Sequence, residues 1–148
     1  MIRSGDTNML YTTNFANLKK LPDNIIPIAI CAKSPDWYNG LEYKKLAPKY
    51  EFFIKWKETG DADQYIKCYF EQVLEKLNQR EVYCELRALV NNSPLNSRKD
   101  MALVCYESPD EFCHRHLVRD WLNSYCAMYN IKCEEWSDKN EHICLQQN

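Results

Sequence analysis

At 148 residues the chain is long enough for one domain with a substantial core and too short for two ordinary ones. Its formal net charge of −2, from 19 Lys and Arg against 21 Asp and Glu, excludes the broad positive field behind unassisted binding to duplex DNA or an anionic membrane, so a nucleotide contact would need a local basic pocket. The longest apolar run, residues 25–32, falls far short of the roughly 20 residues of a membrane span, and no secretory signal is evident, so a cytoplasmic protein is expected.

Residues 1–8 carry no periodic pattern and are expected to form a flexible leader. A short strand is predicted over 9–13, and Asn14 is placed to cap a brief helix over 15–21 that Pro22 ends. Residues 25–31 are apolar at nearly every position, the pattern of a strand covered on both faces, which favours a parallel sheet. The stretch 33–50, with Pro35, Trp37, Tyr38, Gly40, Tyr43 and Pro48, predicts an ordered loop held by aromatic packing.

Between residues 61 and 77, Tyr65, Ile66, Tyr69, Phe70, Val73, Leu74 and Leu77 recur at three- and four-residue spacing and predict a helix. A less regular helical stretch covers 81–90, and 91–100 is a polar, turn-rich connection. Residues 101–106 predict a third strand, residues 117–129 an amphipathic helix and 131–136 a final strand. Strands separated by helices imply right-handed crossovers. The expectation is therefore a single compact α/β domain over 9–136, with a small, mainly parallel sheet flanked by helices in a Rossmann-like three-layer arrangement, followed by a tail over 137–148.

The third strand ends in a cluster of nucleophilic, acidic and basic side chains, Cys105 to His116, just before a helix, where open α/β sheets place their ligands. On a helical wheel with Leu117 at zero the apolar face spans about 0° to 140°, with His114 near 60° and His116 near 260°. His114 should therefore face the sheet as a candidate general acid or base, and His116 should join Asp120 and Asn123 on the solvent side. Glu107 is placed to orient the imidazole or hold it charged. Cys113 is a nucleophile if it sits in the first helical turn, but Ser108-Pro109-Asp110-Glu111 also reads as a capping box that would start the helix earlier and bury Cys113 as a structural thiol. Arg115, near the edge of the apolar face at about 160°, suits either a phosphate clamp or a surface salt bridge.

Other strand ends offer ligand-binding groups: Thr13 with Asn14 after the first strand, and Lys33 after the second. Trp37 and Tyr43 either stack on a base or anchor their loop. The eight cysteines are scattered without a CxxC pair, as expected of reduced thiols serving mainly as small apolar residues. Cys105, Cys113, His114 and His116 are suitable zinc donors by type. Adjacent residues, and a pair two apart, diverge around a helix, however, so no metal or cofactor is expected.

The segment Ala102-Leu103-Val104-Cys105-Tyr106-Glu107, then Phe112-Cys113-His114-Arg115-His116-Leu117 and Trp121-Leu122, resembles the motif of the family called domain of unknown function 488. So do Tyr11-Thr12-Thr13-Asn14-Phe15, Trp37, Tyr43 and Leu46-Ala47-Pro48. The resemblance implies a compact α/β domain of bacteria or their phages, whose Cys-His-Arg element falls on Cys113, His114 and Arg115. It also implies that another branch carries asparagine before the histidine, which weakens a covalent role for Cys113 more than it weakens the role of His114. Three readings stay open. One is an enzyme acting on a nucleotide or nucleic-acid component, the second a non-catalytic module for a small anionic ligand or protein partner, and the third a thiol-based redox or hydrolytic enzyme.

Overall fold

In a computed structural model that describes residues 8–92, 100–107 and 111–137, the apolar runs become strands β1 (Asn8–Asn14), β2 (Ile25–Ala29), β3 (Leu41–Glu42), β4 (Asp100–Cys105) and β5 (Ile131–Glu135). Among these residues they form one sheet in the order β3-β2-β4-β1-β5, and every pairing is parallel. β4 lies at the centre and is buried from Met101 to Cys105, which explains its unbroken apolar character. Of the predicted leader only Asn8 is described, and it opens β1; the rest of the leader, the tail beyond Ser137 and most of the 91–100 connection lie outside the described residues.

Among the described residues four α-helices cover the sheet: α1 (Tyr50–Thr59), α2 (Ala62–Gln72), α3 (Gln79–Asn91) and α4 (His114–Met128). Short polar side chains start two of them, since Asp61 accepts from the Gln64 amide and Asn78 from the Glu81 amide. Asn14 likewise caps the 3-10 segment Phe15–Lys20, at the place where a brief helix was expected. α1 is an addition to the sequence expectation, and it ends at Gly60, whose φ of 71° is a left-handed stop. The long helix predicted over 61–77 is shorter. Val73 bonds back to the Tyr69 carbonyl and the chain tightens into a 3-10 turn, Leu74–Lys76.

Chain direction across the sheet assigns the layers. The steps β3 to β4 and β4 to β5 run one way, whereas β1 to β2 runs the other, so crossovers of one hand put their connections on opposite faces. Accordingly Leu10, Ile26, Ile28, Met101 and Leu103 pack with residues of all four helices in the main core. The other face is thinner, with Phe15, Val104 and Ala29 in one small cluster and Ile25, Ala102 and Trp136 in another.

Candidate active site

β4 delivers Cys105 to the rim of the sheet, and Tyr106 and Glu107 follow in a bend. Cys113 directly precedes α4 with an extended backbone, φ −154° and ψ 141°, so it does not follow the helical wheel. Residues 111–113 are non-helical, so no helix runs on from an early capping box, although Ser108, Pro109 and Asp110 themselves lie outside the described residues. His114 opens the helix and is 3% exposed. Its Nε2 lies 2.9 Å from the Ile30 carbonyl. A carbonyl only accepts, so Nε2 donates to it. Nδ1 faces Cys105 Sγ at 3.6 Å and Cys113 Sγ at 4.0 Å. Cys105 Sγ is also 3.8 Å from Glu107 Oε2.

These groups form the floor of a cavity of about 630 Å³ whose walls include Tyr50, Phe53, Trp56, Tyr65, Tyr106 and Phe112. The rings brace one another: Phe112 lies edge-on to Trp56 at 5.2 Å and to Tyr65 at 4.9 Å. Lys33 and Lys57 line the same cavity, and Lys57 Nζ is 3.8 Å from Glu107 Oε1 and 4.7 Å from the Trp56 ring centre. The electrostatics of the floor separate its members. The hydrogen bond from Cys105, with help from His114 and Arg115, holds the Cys113 thiol well below its ordinary range, whereas Cys105 is pushed up by Cys113 and by burial. Burial, followed by the Cys113 charge, raises the Glu107 carboxyl.

Among the residues singled out from the sequence, His114, Cys113, Cys105, Glu107 and Lys33 meet at this cavity, and Arg115, Thr13, Asn14, Trp37, Tyr43 and His116 do not line it. Arg115 is fully buried. Its Nε and Nη2 bond Glu135 at 3.2 and 2.9 Å and its Nη1 bonds the Glu107 carbonyl at 2.7 Å, so it ties β4 to β5 rather than sitting at an exposed edge. Thr13 donates to the Trp136 carbonyl, and Asn14 serves as a cap. Trp37, 59% exposed, meets the Phe15 ring edge-on, and Tyr43 donates to Glu85. His116 is not on the solvent side. Its Nδ1 lies 3.9 Å from Glu135 Oε1 and its Nε2 is buried, because the carboxyl end of β5 covers this turn of α4. The expected divergence of zinc donors holds for His116 but not for Cys113. The extended backbone at Cys113 brings Cys105 Sγ, Cys113 Sγ and His114 Nδ1 within 4.8 Å of one another.

A family model described as the active DUF488-N3 subclade, DUF488-N3a, matches residues 19–126. The chain belongs to this family. The match spans the whole cavity wall and the Cys-His-Arg element, as the sequence resemblance implied. Neither the curated proteins nor the solved structures contain a match to this DUF488-N3 protein.

Trp56 and Lys57 escaped the sequence reading because α1 was not foreseen, and Tyr65, in α2, was read only as part of that helix's apolar face. The available signal was aromatic density, with Tyr50, Phe52, Phe53 and Trp56 inside seven positions at partly helical spacing.

Proposed function

We propose that this chain is an enzyme that binds a nucleotide-sized heteroaromatic substrate in the aromatic cavity and transforms it over the Cys105, Cys113, His114 and Glu107 floor. The observation that carries this reading is the convergence of ring-lined walls, two lysines and a reactive floor in one space of about 630 Å³. Apolar walls and a few converging polar groups are the general form of a small-molecule site. The rings favour a flat, stackable guest, and Lys33 and Lys57 suit a phosphate or another anionic substituent. Glu107 is the proton carrier in this scheme, since its carboxylate lies at the floor beside Cys105. The description of the matched subclade as active is in keeping with catalysis.

The test is a panel of nucleosides, nucleoside monophosphates and short single-stranded oligonucleotides, incubated with the protein and followed by mass spectrometry of products. At least one member is expected to turn over, and Glu107→Gln is expected to lower that rate by about 100-fold or more with folding intact. Binding without turnover across the panel would make the cavity a recognition site only. Turnover that Glu107→Gln leaves unchanged would remove Glu107 from the chemistry.

A further inference from the structure

We infer that Cys105, Cys113 and His114 form a three-ligand site for a zinc ion whose fourth position opens into the cavity, where a water molecule would bind. The three donor atoms, one from the end of β4 and two from the start of α4, lie within 4.8 Å of one another. In a tetrahedral zinc site, with Zn–S of about 2.3 Å and Zn–N of about 2.0–2.1 Å, a sulfur and a nitrogen ligand stand about 3.6 Å apart. The observed Nδ1 separation of 3.6 Å from Cys105 Sγ matches that value, and the 4.0 Å from Cys113 Sγ needs to close by about 0.4 Å.

The second ring nitrogen gives independent support. Metal-bound histidines commonly donate their other N–H to a carbonyl or carboxylate, which fixes the tautomer and the ring plane. His114 Nε2 does this with the Ile30 carbonyl and leaves Nδ1 aimed at the sulfurs. Two thiolates also balance the charge of a divalent ion, which suits a buried site. All three ligands line the cavity, so the fourth position faces space rather than packed protein. Three protein ligands and an open place are the pattern of a catalytic rather than a structural zinc.

This inference deepens the proposed active site, and rests on that reading for the ion's role though not for its binding. A zinc-bound water gives up one proton to the Glu107 carboxylate, leaving zinc-bound hydroxide as the nucleophile and a neutral Glu107 carboxyl to return the proton. The reaction class is then hydrolytic, with water oxygen entering the substrate and no electrons exchanged.

Metal content separates this claim from turnover. The protein is purified under reductant, stripped, and titrated with zinc or cobalt(II). About one ion per chain is expected, with the intense thiolate charge-transfer and tetrahedral d–d bands of cobalt. Cys105→Ser, Cys113→Ser and His114→Ala are expected to weaken binding by more than the roughly 100-fold that loss of an outer-shell partner costs, whereas His116→Ala and Glu107→Gln should retain the bands. A wild-type protein that shows no cobalt–thiolate band in reductant would overturn the inference, as would a Cys113→Ser variant with an unchanged band. Metal-free turnover would remove the ion and leave the active site standing. A loaded protein inert to the whole panel would do the reverse.

Discussion

Arg115 shows how far a residue's role depends on partners distant in sequence. Its guanidinium reaches Glu135, 20 residues away, and the Glu107 carbonyl, and the same carboxylate accepts from Thr12 at 2.6 Å. Arg115 is thus a strut beneath the floor rather than a ligand clamp. Removing one partner of a buried ion pair strands the other, so Arg115→Met should destabilise the protein by about 3 kcal/mol in urea denaturation, and an unchanged midpoint would contradict the strut. The wheel angle of Arg115 was legible from the sequence, but the carboxylate waiting at the end of β5 was not. His116 fails for the same reason, because β5 covers a flank that the wheel alone leaves open. Cys113 was ambiguous because a single backbone angle decides whether it belongs to the helix, and its extended φ turns a divergent pair into a convergent one.

At the scale of elements, α1 supplies much of the cavity wall and was the least visible helix. Lys49 stands at its start with no side-chain cap, and an aromatic-rich segment next to Pro48 reads as loop. Its stop signal was present in Gly60, where an added Cβ would meet nothing within 4 Å, so the strain of a substitution there is purely that of the backbone. Gly60→Ala should therefore cost about 1–2 kcal/mol, and Gly60→Asn less, as read by thermal or chemical unfolding. Equal stability of all three proteins would show that the left-handed stop is not needed. The helix with the strongest signal was the one whose cap and apolar stripe agree, α2 with Asp61 before it, whereas α4 was legible from its apolar stripe alone, Val118 with Leu122.

For the whole molecule, the parallel sheet was legible because β2 and β4 are apolar on both faces. The distribution of the helices was not, since it follows from strand order. β1 and β4 are neighbours whose chains leave toward opposite faces, the crevice where such sheets usually bind ligands. Here Arg115, Glu135 and Thr12 fill that crevice, and the open cavity lies one strand over, between the ends of β2 and β4 and the wall of α1. Thr13 and Asn14 were sensible candidates for the first place and have no part in the second.

A flat guest is expected to enter beside Trp56 rather than beside the exposed Trp37. Fluorine NMR of protein carrying 5-fluorotryptophan at its four tryptophans, assigned by Trp56→Phe, reads this directly as each of the nucleoside monophosphates is added. The Trp56 resonance should shift saturably with at least one of them while those of Trp37, Trp121 and Trp136 hold still. A Trp56 signal that never moves, or a shift confined to Trp37, would contradict the account.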